Sequence, residues 1–162
     1  MTVVLIGPPA AGKTRIGKRL ASRLGRPFID TDHEIVAEHG PIPQIFAEHG
    51  EPYFRRLERE AVRSALTEHA VVSLGGGAVL DRETQADLAA TSVILLTVKA
   101  EAVAARIGNA KRPLVTDLTS WQALVDSRAE LYASLADYSI DTSTRPLDAI
   151  VEDIALWVEG NR

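Results

Sequence analysis

The chain of 162 residues is long enough for one domain with a substantial core and too short for two. A hydrophobic content of 46% is ordinary for a globular protein, and a net charge of −4 argues against nucleic-acid binding, which usually requires a basic face. The absence of cysteine excludes disulfides, and with neither a signal sequence nor an apolar run of about 20 residues we expect a cytoplasmic protein without a membrane span.

Short β-branched runs alternate with helical patterns along the whole chain. The predicted strands are Val3–Ile6, Pro27–Asp30, Val71–Leu74, Val93–Val98 and Ser139–Asp141. The predicted helices are Arg15–Leu24, Pro52–Glu68, Asp81–Ala90, Ala100–Ile107, Ser120–Leu135 and Leu147–Glu159. Because each pair of parallel strands needs a crossover, this alternation predicts an α/β fold with three α/β/α layers, in which helices cover both faces of a five-stranded parallel sheet.

The stretch Gly7–Thr14 fits the phosphate-binding pattern G-x-x-x-x-G-K-[ST] and lies between the first predicted strand and the first predicted helix. This arrangement directs loop N–H groups and a helix N-terminus at a polyphosphate. Lys13 would reach the β- and γ-phosphates, and the Thr14 hydroxyl would hold Mg²⁺. A glycine-containing turn is the alternative, and the strand before it and the helix after it favour the phosphate loop.

Two further predicted strands end in residues suited to the same cleft, because ligands in such sheets bind beyond the carboxyl ends of the strands. Asp30 and Asp32 follow the second strand, where one carboxylate could serve Mg²⁺ and the other could orient an acceptor hydroxyl. The alternative is that Asp30 or Thr31 caps the next helix, with Glu34 completing a capping box. Gly75-Gly76-Gly77 ends the third strand, where either a closely approaching ligand or a plain tight turn would explain the glycines.

The predicted helix after Pro52 carries a run of charged residues that has two explanations. On a solvated face, Arg55 would pair with Glu51 one turn away. If Arg55 instead points into the cleft, it could bind a carboxylate or phosphate with both arms of its guanidinium, and Glu58 could hold it in place. Spacing alone favours the solvated face.

Two segments do not fit the layers of the sheet. Residues 33–50 are interrupted by Gly40-Pro41, which breaks any continuous helix. Residues 108–119 have the composition of a mobile loop, and Arg112 within it is either a loop arginine that stabilises a transferring phosphoryl group or part of an exposed basic turn.

Taken together, the motifs resemble those of the shikimate kinases over about residues 3–145. The motifs that carry the resemblance are Gly7–Thr14, Asp30-Thr31-Asp32, Phe54-Arg55-x-x-Glu58, Gly75-Gly76-Gly77, Arg112-Pro113-Leu114 and Arg128-x-x-Leu131-Tyr132. The resemblance implies a P-loop NTPase fold of the nucleoside-monophosphate-kinase type in one domain, 1–162, with a core, a substrate-binding segment near 31–60 and a lid near 108–119. It also implies transfer of the ATP γ-phosphoryl group to the 3-hydroxyl of shikimate, in the route to chorismate and the aromatic amino acids.

The resemblance assigns roles to individual residues. ATP would be bound by Ala10, Ala11, Gly12, Lys13, Thr14, Arg15, Arg112 and Arg145, and the metal Mg²⁺ by Thr14 and, through water, Asp30. Shikimate would be bound by Asp32, Phe46, Phe54, Arg55, Gly75, Gly76, Gly77 and Arg128. The catalytic residues would be Lys13, Asp32 and Arg112, while Arg55 and Arg128 would clamp the shikimate carboxylate. By spacing alone Arg128 is more often a surface arginine, so these implied roles replace the surface interpretation of both Arg55 and Arg128.

The sequence departs from the family pattern in a few places. Ala10 stands where the family often has glycine, and alanine tolerates a positive φ less well. Thr14 and Arg15 replace a commoner Ser-Thr pair, although Thr14 retains the hydroxyl that Mg²⁺ requires. The lid is slightly shorter than in some members, which leaves open whether Arg106 is a second lid arginine.

Two rival functions are compatible with the phosphate loop. Another small-molecule kinase of the same fold would act on gluconate or a nucleoside monophosphate, but Phe54-Arg55, the glycine triplet and Arg128-x-x-Leu131-Tyr132 favour shikimate. A GTPase-like switch would carry an N-K-x-D motif, which Asn109-Ala110-Lys111-Arg112 does not match. The expected partners are ATP and shikimate, without nucleic acid or membrane, and we expect a monomer because small kinases of this kind are often monomeric.

Overall fold

A computed structural model describes residues 1–109 and 117–161 of the chain. The elements in chain order are β1 (Val3–Ile6), α1 (Lys13–Leu24), β2 (Phe28–Asp30), α2 (Thr31–His39), α3 (Ile42–His49), α4 (Glu51–Ala65), β3 (Val71–Ser73), a 3₁₀ turn (Ala78–Leu80), α5 (Arg82–Leu88), β4 (Ser92–Thr97), α6 (Ala100–Asn109), α7 (Leu118–Leu135), β5 (Tyr138–Asp141) and α8 (Leu147–Gly160). None of the helices within these described ranges is both long and apolar enough to cross a membrane.

The five strands form one sheet in the order β2-β3-β1-β4-β5, and every pairing in it is parallel. This confirms the predicted sheet, with bounds that shift by only a few residues. β1 lies at the centre and its four residues are fully buried. Its unbroken β-branched and leucine sequence is what a strand covered on both faces requires.

Successive residues of β1 belong to two different cores, one on each face of the sheet. Val3 and Leu5 pack with residues of α1 and α8, whereas Val4 and Ile6 pack with α4, α5 and Tyr132 of α7. This separation follows from the period of two along a strand, which sends alternate side chains to opposite faces. The predicted three-layer arrangement is therefore confirmed.

The segment after β2 is more helical than the sequence predicted. Residues 33–50 contain most of α2 and all of α3, and the two helices are separated at Gly40-Pro41. The break was predicted, and Gly40 permits it because its φ is +87°. The two helices pack with α4 around a small separate cluster of Ile35, Ile45 and Phe54, which explains why short segments with weak periodicity are nevertheless helical.

Candidate functional site

The phosphate loop has a backbone that its glycines make possible. Gly7 and Gly12 have φ values of +145° and +93°, in a region that side chains disfavour. A Cβ on Gly7 would also collide with the carbonyl oxygen of Leu96 in the neighbouring strand. Ala10 has a φ of +70°, so the alanine noted in the sequence does adopt the left-handed conformation that glycine would take more readily.

The carbonyl oxygens of this loop are bound from behind by side chains. Lys13 Nζ donates to Gly7 O at 2.6 Å and to Pro8 O at 2.9 Å. Each of the next three carbonyls accepts a hydrogen bond from a different side chain. Trp121 Nε1 donates to Pro9 O at 2.8 Å, Arg106 Nη1 to Ala10 O at 2.5 Å and Thr142 Oγ1 to Ala11 O at 2.8 Å. Because the N–H of a trans peptide points opposite to its C=O, these bonds fix the direction of the loop N–H groups.

Helix α1 begins directly after this loop, with Gly12 as its N-cap. No side chain among the described residues accepts a hydrogen bond from the first turn as a cap. The N–H groups of that turn, which an isolated helix leaves without partners, therefore face the same space as the loop. The loop and helix together are suited to an anion.

Asp30 caps the next helix, as one interpretation of the sequence predicted, and it also lies beside the Thr14 hydroxyl. Its Oδ1 accepts from His33 N at 3.2 Å and so caps α2, while its Oδ2 accepts from Thr14 Oγ1 at 2.9 Å. The capping box expected as an alternative does not form around Thr31, because Thr31 lies inside the helix. Its buried hydroxyl instead donates to Ser73 O at 3.4 Å and accepts from Gly75 N at 3.3 Å.

The three glycines after β3 lie against three charged side chains. A Cβ would lie 2.5 Å from Asp32 Oδ1 at Gly75, 3.4 Å from Arg128 Nη1 at Gly76 and 2.7 Å from Arg55 Nη1 at Gly77. The triplet has ordinary negative φ values, so no turn conformation requires these glycines. At Gly75 and Gly77 the reason is space instead, because a Cβ there would displace Asp32 or Arg55, whereas a Cβ at Gly76 would make an ordinary contact.

Arg55 is held by acids within its own helix. Its Nη1 donates to Glu58 Oε1 at 2.8 Å, and Glu51 Oε1 lies 3.4 Å from its Nη2. Glu58 is 4% exposed. Burial raises the pKa of Glu58, and Asp32 raises it further, against the opposing effects of Arg55 and Arg128. The predicted support of Arg55 by Glu58 is thus present, together with the alternative surface pair with Glu51.

Asp32 lies where its charge is costly. Burial raises its pKa, with a further rise from the neighbouring Asp30, while Lys13 and Arg55 act in the opposite direction. A carboxylate whose pKa is raised in this way binds a proton more readily than an exposed one does. The same effects show that Lys13 and Arg55 both lie close enough to interact with this single carboxylate.

Helix α7 contributes to both ends of the cleft. Trp121 reaches the phosphate loop, and about two and three turns later Arg128 and Tyr132 reach the glycine triplet. Tyr132 donates its hydroxyl to Gly76 O at 2.9 Å. Burial raises the pKa of Tyr132, which keeps this donor protonated at neutral pH. The three side chains lie on one stripe because their spacing of seven and four residues matches the helical repeat.

A cavity of about 910 Å³ joins most of these features. Its walls include the predicted nucleotide and metal residues of the described chain and two glycines of the triplet: Ala10, Ala11, Gly12, Lys13, Thr14, Arg15, Asp30, Asp32, Gly75, Gly76 and Arg145. Arg55 and Gly77 line a second cavity of about 300 Å³. The arrangement can bind a polyphosphate at the loop and a small anion between two arginines.

Comparison with known proteins identifies this geometry. The family model described as shikimate kinase matches residues 9–159. The chain belongs to the shikimate kinase family. It is 43% identical to a shikimate kinase of Saccharopolyspora erythraea over 98% of the chain and 94% of that protein, and 45% identical to one of Thermobifida fusca over 94% and 91%. The structure of the Acinetobacter baumannii shikimate kinase in complex with shikimate has a TM-score of 0.88 at 31% identity, covering 99% of this chain and 94% of that one.

Arg145 differs from the other predicted nucleotide-binding residues because an acid outside the cavity lining binds it. Arg145 lines the large cavity, but its Nη2 donates to Asp153 Oδ2 of α8 at 2.5 Å. Arg112 lies outside the described residues. Phe46 and Phe54 pack with ring centroids 4.9 Å apart, Phe54 buried in the small cluster and Phe46 at 36% exposure at its edge.

Sequence reasoning missed the residues that hold the phosphate loop from behind. Arg106 was noted only as an uncertain lid arginine, and its Nη2 also donates to Thr142 O at 2.6 Å. Trp121 and Thr142 were not singled out. Their partners are backbone carbonyls, which leave no trace in a sequence pattern, so only the fold brings them to the loop.

Proposed function

We propose that this chain transfers the γ-phosphoryl group of ATP to the 3-hydroxyl of shikimate, giving 3-phosphoshikimate and ADP, and that the named residues divide the task as follows. One observation carries the proposal. An acid and two arginines from separate elements lie against the glycine triplet, and a Cβ on Gly76 would lie 3.8 Å from Pro9 Cδ of the phosphate loop. A polyphosphate bound at the loop and an anionic polyol bound at the triplet would therefore lie next to each other.

ATP is bound chiefly by backbone. The N–H groups from Ala10 to Arg15 face the phosphates, and Lys13 Nζ exchanges its loop carbonyls for phosphate oxygens of the nucleotide. Arg112 of the lid neutralises charge on the transferring group, and Arg145 lies along the adenine after leaving Asp153. Because these residues combine fixed dipoles with cationic side chains, they can stabilise the charge as it moves from the γ-phosphoryl group to ADP.

Mg²⁺ fits the pair formed by Thr14 and Asp30. Their side chains offer oxygen ligands, which this cation prefers, and the two oxygens are 2.9 Å apart. No group of three or more His, Cys, Asp or Glu side chains in residues 1–109 and 117–161 could hold a metal alone. Magnesium in kinases is commonly held by one or two protein groups together with phosphates, and when bound it neutralises phosphate charge.

Shikimate is bound by charged side chains at the glycine triplet. Arg55 and Arg128 clamp the carboxylate, with Glu58 keeping Arg55 in place through its 2.8 Å bond. Asp32 lies at the other end of the acceptor and takes the proton of the reacting hydroxyl. Phe46 and Phe54 wall the ring, and Gly75, Gly76 and Gly77 bring the backbone close to it.

The reaction follows from these positions. The 3-hydroxyl oxygen forms a bond to the γ-phosphorus, the bond from that phosphorus to the bridging oxygen of ADP breaks, and the hydroxyl proton moves to Asp32. Most of the acceleration comes from positioning and charge neutralisation. We place the core, the substrate-binding segment 31–60 and the lid 108–119 in one domain, 1–162, that acts as a monomer without nucleic acid or membrane.

A direct assay tests this function. Formation of ADP would be measured with ATP and Mg²⁺ and with shikimate, gluconate or nucleoside monophosphates as acceptor, and ³¹P spectroscopy would locate the new phosphate ester. We expect shikimate to be the best acceptor and the ester to form at its 3-oxygen. A better acceptor among the other compounds would reject the proposed substrate, and a preference for GTP over ATP would reject the proposed donor.

A further inference from the structure

The tryptophan at the start of α7 does not line the large cavity, yet it bonds to the loop that does. Trp121 is 2% exposed and packs in the core cluster that also contains Ala10 and Ala11 of the phosphate loop. Its indole Nε1 donates to Pro9 O at 2.8 Å. The bond joins residues 112 positions apart in the chain.

The peptide that this bond holds is important because of the two prolines in the loop. Pro8 and Pro9 have no N–H, so after Gly7 the next N–H of the loop belongs to Ala10. That N–H is in the same peptide unit as Pro9 O and points the opposite way. By holding Pro9 O, the indole therefore fixes the direction of the Ala10 N–H, the first donor after the two prolines.

Ala10 gives a physical reason for such a hold. Its φ of +70° costs an alanine roughly 1–2 kcal/mol relative to the right-handed conformation. Without support, the peptide before Ala10 would be free to rotate toward a more favourable conformation and turn its N–H away. The bond from Trp121 and the bond from Arg106 hold the carbonyls on the two sides of this residue.

We propose that Trp121 is a positioning residue for the nucleotide: it keeps the Ala10 N–H directed at the phosphates by holding Pro9 O. This deepens the proposed function, on which it rests, because it concerns the same ATP site. The role belongs to the indole N–H, whereas the ring itself serves the core.

The first test compares two identical substitutions. Trp121→Phe removes the N–H and keeps an aromatic ring, and Trp157→Phe is the matched control, since Trp157 stacks on Tyr138 with centroids 5.3 Å apart and lies outside the cavity lining. Loss of one neutral hydrogen bond should weaken ADP binding, measured by calorimetry, and raise the ATP KM by about threefold to tenfold. The shikimate KM should change by less than about twofold, and Trp157→Phe should leave all three values unchanged.

A purely structural tryptophan gives a different result. In that case Trp121→Phe lowers the unfolding temperature but leaves ADP affinity as in the wild type, or raises both KM values equally. Either outcome overturns the proposal. Because ADP binding needs no shikimate, weakened ADP binding in a protein that fails to phosphorylate shikimate would reject the proposed function and still support the role of Trp121.

A second variant covers the case in which Trp121→Phe does not fold. In the Trp157→Phe background Trp121 is the remaining tryptophan, because the chain has two. Supplying β-(3-benzothienyl)alanine in place of tryptophan then replaces only this N–H by sulfur, with nearly the same ring shape. We expect the same threefold to tenfold loss of ADP affinity relative to the Trp157→Phe parent, by about the strength of one hydrogen bond; equal affinity overturns the proposal.

Discussion

At the phosphate loop the groups directed into the cleft are mainly backbone N–H groups, whereas around the glycine triplet they are charged side chains. The loop owes its shape to residues with positive φ and to donors that hold its carbonyls from behind. The triplet, in contrast, has no positive φ value, and its missing side chains leave space for Asp32, Arg55 and Arg128. A polyphosphate can be recognised by many small dipoles, but a single carboxylate requires cations aimed at it.

The largest expected effect concerns Lys13, the cation within the phosphate loop. Lys13→Ala should lower kcat by about 10³-fold or more, because a cation is lost where charge develops. ADP affinity should fall less, by about tenfold at most, because the backbone donors remain. Turnover and calorimetry on the same preparation check this, with the exposed Lys99→Ala as control. An equal loss of affinity and kcat would show that the side chain, not the backbone, dominates nucleotide binding.

Asp32→Asn tests how much stability is lost by burying an ionised acid beside the glycine triplet. We expect kcat to fall by about 10²–10⁴-fold, since the amide cannot accept the acceptor proton. Because the pKa of Asp32 is raised in the folded protein, this residue contributes to the stability of the fold at low pH, where the carboxyl group is protonated. That contribution is lost as the pH rises through the folded-state pKa. The asparagine variant should therefore unfold at a higher temperature than the wild type at pH 8, and this gain should shrink at pH 5.

The control for that prediction is Asp126→Asn, which alters an exposed acid on the outside of α7. It should change neither kcat nor the pH dependence of unfolding. If Asp32→Asn proved less stable than the wild type at pH 8, the attraction of Lys13 and Arg55 for the ionised carboxylate would outweigh the cost of its burial.

Arg128→Ala should separate the two substrates. Loss of a charged hydrogen-bond donor should raise the shikimate KM by about 10–100-fold, while the ATP KM changes by less than about threefold. Steady-state kinetics with each substrate varied in turn provide the measurement, and Arg56→Ala on the outer face of α4 is the control. Equal changes in both KM values would place Arg128 elsewhere.

The glycine triplet predicts a graded series. Alanine at Gly77 would push on Arg55 Nη1 at 2.7 Å, whereas alanine at Gly76 would meet Arg128 Nη1 at an ordinary 3.4 Å. We expect the shikimate KM to rise by about tenfold for Gly77→Ala, as for one strained charged contact, and clearly less for Gly76→Ala. Thermal unfolding should change little in either variant, because the displaced atoms are at the ends of flexible side chains. The reverse order of the two KM values would contradict this account.

Ala10→Gly has the smallest expected effect on activity. Glycine removes a left-handed strain of about 1–2 kcal/mol and costs about 0.4–1 kcal/mol of added freedom in the unfolded chain. The free energy of unfolding should therefore rise by between about 0 and 1.6 kcal/mol, with kcat within about twofold of the wild type. Urea unfolding measures the first and turnover the second. A loss of stability would mean that the methyl group, 3% exposed in the core, contributes more by packing than it costs in strain.

The contrast between the two ends also explains how far the sequence could be interpreted. Gly7–Thr14 was recognised from the residues alone, because a backbone site is built from contiguous chain. Arg55 and Arg128 were first interpreted as surface arginines and were assigned to the cleft only by resemblance. They lie on α4 and α7, which are far apart in the chain. Nothing local marks a side chain that acts across such a distance.

Three other features of the structure could not be predicted from the sequence, each for a different physical reason. The glycine triplet was attributed to a ligand or a turn, and the structure shows that neighbouring charged side chains also require it. The two helices after β2 lack strong periodicity and depend on packing around Ile45 and Phe54. Trp121 and Thr142 bond to carbonyls, whose positions only the folded chain defines.

The packed glycines restrict how the acceptor preference of this enzyme could be redesigned. Larger residues at Gly75 or Gly77 would move the very charges that an acidic acceptor needs, so that side of the pocket is closed to enlargement. Phe46, which we propose as a wall of the acceptor ring, is less constrained, because it is 36% exposed and is not part of a main core. A library that varies Phe46 while leaving the triplet intact is therefore the rational starting point for kinases that accept bulkier hydroxy acids.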